Sequence, residues 1–265
     1  MKVDGCNALI TGASAGIGRQ FARQLAGRAK SLTLIARREQ RLNELRDELV
    51  QQNPNLRVFL SNTDLADLAQ LNELLAWLDR ESIDVDLLIN NAGLGDSGAF
   101  ATGDAIRNEQ ITLVNIVALT LITRHLLPPM IARRRGDILN VSSSAGFLPM
   151  PDSAVYAATK AYVTSFSEAL RIELSGTGVS VCTVCPGPVR TEFQEVAKRS
   201  GEKPDIGPEF LLLSTDQIVR DALAALEADR PLVIPGFPMK VAMLLVRMMP
   251  MPILRILLPL FLRRG

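Results

Sequence analysis

The 265-residue chain has one histidine, His125, and three cysteines, Cys6, Cys182 and Cys185. That scarcity excludes a zinc site of paired motifs: Cys182 and Cys185 form one Cys-x-x-Cys, and nothing completes it. The pair lies in Val179-Ser-Val-Cys-Thr-Val-Cys-Pro, a strand-like run, where residues three apart point to opposite faces. Structural thiols in a reducing cytoplasm, and no metal, are the expectation. An excess of either charge is also lacking. The 29 basic and 28 acidic residues leave a net charge of +1, without the basic footprint of a nucleic-acid binder. No apolar signal region opens the N-terminus, so secretion by that route is not indicated. No uninterrupted apolar run reaches the roughly 20 residues of a membrane span. What remains is a globular composition, 48% hydrophobic and 22% charged, long enough for one large α/β domain.

Short apolar runs alternate with helical periods. Cys6 to Thr11 reads as a buried strand, Gly12-Ala-Ser-Ala-Gly16-Ile-Gly18 follows, and Arg19 to Arg28 has apolar residues at helical spacing. Glycines permit a tight turn and close backbone approach, and a helix N-terminus offers free N–H groups to phosphate. Gly12, Ser14, Gly16, Ile17 and Gly18 are therefore candidates for holding a dinucleotide. Ser31 to Ala36 is a second strand. An NAD site usually places an acid at its end, about 20 residues past the glycines; this chain has Arg37 and Arg38. A guanidinium pairs with a 2′-phosphate that a carboxylate would repel, so NADP(H) is expected, with Arg37 ahead of Arg38. The competing reading makes both arginines solvated residues opening a helix from Arg38 to Gln51.

Leu56 to Leu60 is a third strand, after which Asp64 and Leu65 face the adenine ring; N-capping of the next helix by Asp64 is the other role. That helix, Leu68 to Leu78, carries Trp77, a core or interface residue. Val85 to Asn90 is a fourth strand ending in Asn90-Asn91-Ala92-Gly93, small residues and amides suited to a crevice wall. A long helix follows and is expected to stop at Pro128-Pro129. Asn115 inside it is a poor helix former, which points to a role; the competing reading is one ordinary helix-to-helix hydrogen bond. Arg133 to Arg135 read as a solvated turn. Asp137 to Val141 is a fifth strand delivering Ser142, Ser143 and Ser144.

The helix from Ser153 to Leu174 carries Tyr156 and Lys160, four apart and so on one face. An ammonium near a phenol favours the charged form, which predicts a lowered pKa and a proton donor and acceptor near neutral pH. Taken alone, the pair reads as two surface residues. Val179 to Cys185 is a sixth strand, leading into Pro186-Gly187-Pro188-Val189-Arg190-Thr191. Residues 192–214 lack a clear period and predict a mobile lid. Thr215 to Ala228 is a helix and Pro231 to Ile234 a last strand. The alternation predicts a single doubly wound Rossmann-type α/β domain over 1–235, with a mostly parallel seven-stranded sheet, and a C-terminal extension over 236–265.

Thr11-Gly-Ala-Ser-Ala-Gly-Ile-Gly18, Asn90-Asn-Ala-Gly93, Asn115, Ser143, Tyr156-x-x-x-Lys160 and Pro186-Gly187 together resemble the short-chain dehydrogenase/reductase family over roughly residues 3 to 235. Ser143 lies thirteen residues before Tyr156, the family's usual separation, and is preferred to Ser142 and Ser144. Arg37 stands where NADP(H)-preferring members carry a basic residue. The resemblance implies hydride transfer from nicotinamide to a carbonyl carbon, with Tyr156 giving its proton to the alkoxide. Lys160 would lower the Tyr156 pKa and hold the ribose, Ser143 would bind the substrate oxygen, and Asn115 would position a water linking Lys160 to solvent. Asn91, Ala92, Gly93, Pro186 and Gly187 would join the cofactor set, with Val189 and Thr191 at the carboxamide. The 190–214 region resembles the family's variable substrate loop, and a homo-oligomer is expected because members commonly oligomerise.

Phe193, Ile206, Phe210, Leu211, Leu212 and Leu213 make that loop apolar, which favours an apolar ketone or aldehyde. The runner-up is a 3-oxoacyl thioester or ketosteroid reductase; the rival class is a non-catalytic nucleotide-binding or membrane-associated scaffold. Met239 to Leu262 is apolar, with Lys240 and Arg247 on one helical face. Packing against protein is expected ahead of peripheral membrane contact through 239–262.

Overall fold

The structure, a computed structural model, describes residues 3–198 and 209–255. Seven strands form its centre: β1 (Asn7–Thr11), β2 (Ser31–Ala36), β3 (Arg57–Asn62), β4 (Leu87–Asn90), β5 (Gly136–Val141), β6 (Val179–Val184) and β7 (Leu232–Val233). Their order is β3-β2-β1-β4-β5-β6-β7 and every pairing is parallel. Parallel strands are covered on both faces, so they read as continuous apolar runs, and β2, β4 and β5 are buried throughout.

Alternate side chains supply two cores. Ala8 and Ile10 of β1 enter one core and Leu9 the other; Leu87 and Ile89 of β4 divide from Leu88 in the same way. The first core is closed by α1 (Gly16–Leu25), α2 (Glu39–Gln52) and α8 (Thr215–Glu227). The second lies under α3 (Leu68–Arg80), the long helix of α4 (Ala105–Thr112) and α5 (Leu119–Ala132), and α6 (Ala154–Glu173). A wholly buried side chain such as Phe21 contributes about 1.5–3 kcal/mol. Trp77 is half-buried against the second core. Cys182 belongs to the first core, whereas Cys185 sits beside Thr164 and Ser142 under α6, so the two thiols do face opposite ways. Burial pushes the thiols of Cys6, Cys182 and Cys185 up to about 12.

Four expectations are corrected. Helix α1 begins at Gly16 rather than Arg19, because the glycine turn itself forms the first helical turn. Pro128 and Pro129 lie inside α5, which runs on to Ala132; both are exposed, so the carbonyls they leave without donors face water. Asp64 does not cap α3: that cap is Asp67, which accepts from the Ala69 and Gln70 N–H groups at 2.8 and 3.2 Å. Asp64 instead accepts from the Ala66 N–H at 3.0 Å. The segment after Thr191 is not wholly irregular: α7 (Glu192–Ala197) opens it, too short to show a period. Ile206 lies outside the described residues.

The helix from Ala105 to Ala132 is long and apolar enough to cross a membrane by length and composition, but Ile111, Val114, Ile122 and Leu126 bury it in the second core. Helix α9 (Phe237–Met248) packs on the turns Ser144–Phe147 and Glu209–Leu211 at one end of the sheet.

Candidate active site

Strand order reverses between β1 and β4, and the carboxyl ends of these strands open a crevice there. Thr11 ties the two ends together: its Oγ1 accepts from the Asn91 and Ala92 N–H groups, both at 3.0 Å. The Asn91 amide donates to the Thr11 carbonyl at 2.9 Å and the Gly12 carbonyl at 3.3 Å. Gly12 has φ +68°, and a Cβ there would stand 2.9 Å from Ala92 Cα. A Cβ at Gly18 would strike the Gly12 carbonyl oxygen, so that glycine serves the close packing of helix on turn. Ala15, at the N-cap of α1, provides no side-chain cap, which leaves the first N–H groups of the helix to an outside acceptor.

One cavity of about 540 Å³ runs along this crevice. It is lined by Gly12, Ser14, Gly16, Ile17, Arg37, Arg38, Asp64, Leu65, Asn91, Ala92 and Gly93 on one side and by Ser143, Tyr156, Lys160, Pro186, Gly187, Val189 and Thr191 on the other. Of the candidate residues, Gly18 and Asn115 alone stand behind that lining. The glycine cradle, the uncapped helix and two guanidinium groups at the end of β2 form a donor set that fits a dinucleotide carrying a 2′-phosphate. Arg38 crosses the turn, with Nε and Nη2 at 3.4 and 3.3 Å from Ser14 Oγ. Arg37 Nη1 reaches Asp64 at 3.5 Å.

The end of β5 separates the three serines by task. Ser142 Oγ donates to the Lys160 carbonyl at 2.8 Å and shares a hydrogen bond with Thr164, so it fastens α6 to the sheet. The Ser144 N–H donates to the Pro186 carbonyl at 2.8 Å. Ser143, whose hydroxyl accepts from the Ala145 N–H at 3.1 Å, lines the cavity together with Tyr156. Lys160 Nζ donates to the Val141 carbonyl at 2.9 Å and lies 5.8 Å from the centre of the Tyr156 ring. Burial lowers the Lys160 pKa to about 8. Burial also raises the Tyr156 pKa, and the neighbouring Ser143 hydroxyl only partly opposes it. The expected lowering of the phenol by Lys160 is thus overturned in this geometry: desolvation outweighs any effect of the ammonium, which is turned to a carbonyl.

Asn115 occupies a π-helical stretch, Leu113–Ala118, between α4 and α5. Its amide donates to the Leu94 carbonyl and to Thr159 Oγ1, both at 2.9 Å, and accepts from the Leu94 N–H at 2.8 Å. It thereby joins the loop after β4 to α6. A Cβ on Gly93 would lie 3.4 Å from Lys160 Nζ and 3.6 Å from Asn115 Oδ1, so a glycine keeps the space between them. Opposite, Phe193 of α7 tilts against Tyr156, ring centres 5.4 Å apart. Thr191 and Gln194 cap that short helix reciprocally.

Residues 6–201 match the family model described as short chain dehydrogenase. The chain belongs to that family. An NADP-dependent 3-hydroxy acid dehydrogenase of Escherichia coli O157:H7 is 39% identical over 190 residues, 71% of this chain and 75% of the relative. A very-long-chain 3-oxoacyl-CoA reductase of Caenorhabditis elegans is 35% identical over 204 residues, 75% of this chain and 64% of the relative. Among solved structures, a short-chain dehydrogenase from Sphingobium yanoikuyae in complex with NADPH superimposes with TM-score 0.80 at 33% identity, covering 88% of each chain.

Two charged residues of this short-chain dehydrogenase line the cavity without being named by any motif. Arg107 on α4 donates to the Gly95 carbonyl at 3.0 and 2.8 Å and to the Val196 carbonyl at 3.3 Å, joining the β4 loop to α7. It stands eight residues before Asn115 on the same helix, a spacing that shares a face and could have flagged it. Glu192, the first residue of α7, accepts from Arg38 at 2.8 Å and from Arg41 at 2.6 and 2.7 Å. The two arginines hold its carboxyl below the usual range. No spacing links residue 192 to 38, so nothing in the sequence announces that contact.

Proposed function

We propose that the protein is an NADPH-dependent reductase that converts a ketone or aldehyde on an apolar molecule to the alcohol, reversibly, with Tyr156 as proton donor. The observation that carries this reading is the convergence of Ser143, Tyr156 and Lys160 on the wall of the cavity that faces the glycine turn. Bound NADPH supplies the hydride. Tyr156, its pKa raised by burial, keeps its proton at neutral pH and gives it to the developing alkoxide. The Ser143 hydroxyl donates a hydrogen bond to the same oxygen. Lys160 supplies the positive charge next to the phenolate left behind and holds ribose hydroxyls. Asn115 keeps one lone pair of its carbonyl oxygen for a water beside Lys160.

Gly12, Ser14, Gly16 and Ile17 hold the pyrophosphate, and Arg37 and Arg38 the 2′-phosphate. Asp64 and Leu65 take the adenine. Asn91, Ala92, Gly93, Pro186, Gly187, Val189 and Thr191 line the nicotinamide half. The catalytic domain extends to about residue 235. Free, buried thiols support a reducing compartment such as the cytoplasm, and the assembly is read as a homo-oligomer.

Leu94, Val114, Met150, Phe193 and Val196 give the substrate end of the cavity an apolar lining. That lining also supports a second reading, a 3-oxoacyl substrate whose chain lies along it, in keeping with the chemistry in the two relatives' names. The test follows NADPH absorbance with a panel of ketones, aldehydes, ketosteroids and 3-oxoacyl thioesters. Tyr156→Phe is expected to lose roughly 10²–10⁴-fold in turnover, the usual worth of a general acid. Full turnover by that variant would overturn the mechanism.

A further inference from the structure

The helix α9 is apolar on two opposite faces. Met239, Ala242, Met243 and Val246 recur at helical spacing, and the two methionines are buried against the fold. Met239 packs directly on Gly187 at the edge of the cavity. A helix packed this way on a globular protein presents a polar face to water. Here the opposite face carries Phe237, Val241, Leu244, Leu245 and Met248, at 79, 40, 60, 59 and 74% exposure. At 3.6 residues per turn these five form one stripe about 180° from the buried methionines, with Lys240 and Arg247 together on one flank. Helical backbone resumes over residues 251–255, where Met251 and Ile253 are again exposed.

Charge decides what covers this stripe. From Pro231 to Gly265 the chain has no aspartate or glutamate and five basic residues, Lys240, Arg247, Arg255, Arg263 and Arg264. Arg247 rests over the Phe147 ring at 5.5 Å, a contact that leaves its charge in place. The acid on the adjoining turn, Glu209, is paired with Arg190 at 3.6 Å. A second copy of this chain would bring an equally basic segment against the first. A bilayer bearing anionic headgroups matches both the apolar stripe and its cationic flank.

We propose that α9 docks the protein on an anionic lipid surface, its outer stripe sunk at the headgroup boundary. Because the inner face of the same helix borders the cavity at Gly187, docking brings the mouth of the site to the bilayer. The exposed Phe210, on the turn that packs against α9, extends the apolar rim. A carbonyl compound dissolved in the membrane then has a short route to Tyr156; this route rests on the reductase reading, whereas the docking does not.

The test sediments the full-length protein with vesicles of phosphatidylcholine alone and with vesicles containing phosphatidylserine. The wild type is expected to pellet with the anionic vesicles, and less so as salt rises. Leu244→Glu/Met248→Glu should stay in the supernatant while reducing a water-soluble ketone at the wild-type rate. Lys240→Glu should bind the anionic vesicles at least roughly fivefold more weakly, the contribution of a basic residue near a charged leaflet. Wild-type protein that ignores both kinds of vesicle would overturn the proposal, as would a stripe variant that still pellets. If sedimentation velocity instead shows an oligomer that the stripe variant dissociates, with no vesicle binding, the face belongs to a second copy and the proposal fails. None of these readings needs substrate, so a failure of docking is distinct from a failure of the reductase reading.

Discussion

Lys160 donates to the Val141 carbonyl at 2.9 Å from a position only 4% exposed, so an ammonium is held inside the protein by a neutral partner. Its pKa of about 8, down from the usual 10.5 of a lysine, means that folding disfavours the charge. The unfolded chain keeps this proton up to about 10.5 while the folded protein releases it near 8, so between these values the unfolded state binds more protons and stability rises with pH. Below about 8 the whole penalty is present, about 3 kcal/mol from the size of the shift. Lys160→Met removes it and forfeits one hydrogen bond worth about 1 kcal/mol. We expect the variant to melt several degrees higher at neutral pH, with the gain shrinking by about half or more near pH 9.5, and to lose turnover. Calorimetry across that range, beside an NADPH assay, checks both.

The pH profile of the reaction follows from the raised Tyr156 pKa. Reduction requires the protonated phenol and oxidation the phenolate. Reductive kcat/KM is expected to stay level through neutral pH and to fall above about 8, where Lys160 loses its charge. Alcohol oxidation should instead rise with pH through the neutral range. A reductive rate that falls between pH 6 and 7 would show a phenol already ionising there, contrary to its raised pKa.

The strands were legible because burial on both faces leaves a continuous apolar run; β2 falls at Ser31–Ala36 as read. The crevice was legible because Gly12, Asn91 and Tyr156 each lie at a fixed remove from a strand end or helix start. What escaped depends on contacts between distant segments. Arg107 reaches the backbone of residues 95 and 196, and Glu192 reaches a helix 151 positions earlier, so no local pattern encodes either. Asn115 was marked by its low helix propensity, but the π turn around it is a response to three hydrogen bonds that only the assembled fold supplies. Ile10 and Leu9 part company between two cores for the same reason that the strand was readable, the period of two.

Asn115→Leu keeps the size of the side chain and removes those three bonds. It leaves the buried Leu94 N–H and carbonyl without partners, at a cost of about 1–3 kcal/mol for each group. Thermal unfolding should show a drop of several degrees. Asn115→Asp keeps the acceptor for the Leu94 N–H and should recover part of the stability. If the side chain also positions a water beside Lys160, the Leu variant will lose kcat more than KM changes; equal loss of both would leave it a purely structural residue.

Cofactor choice is tested through the arginines at the end of β2. Arg37→Ala is expected to weaken NADPH far more than NADH, and an equal effect on both would refute the 2′-phosphate role. Arg38→Ala should act in the same direction and also loosen the turn, because its guanidinium bonds Ser14 Oγ at 3.3 Å.

Glu192 sets the last test, because its carboxylate lies where two guanidinium groups converge, 2.8 Å from Arg38 and 2.6 Å from Arg41. In the proposed site a 2′-phosphate would offer Arg38 more charge and more acceptor oxygens than a carboxylate does. The two anions are therefore expected to compete for Arg38, the one on α7 yielding to the phosphate. All three side chains are more than a third exposed, so each pair contributes at most about 1 kcal/mol. Removing the competitor with Glu192→Gln should accordingly lower KM for NADPH by roughly two- to fivefold and leave KM for NADH unchanged. The difference should fade in high salt, which screens an exposed pair. The opposite result, weaker NADPH binding in Glu192→Gln, would mean that the carboxylate holds Arg38 in the orientation the phosphate needs, and that α7 assists the cofactor instead of yielding to it.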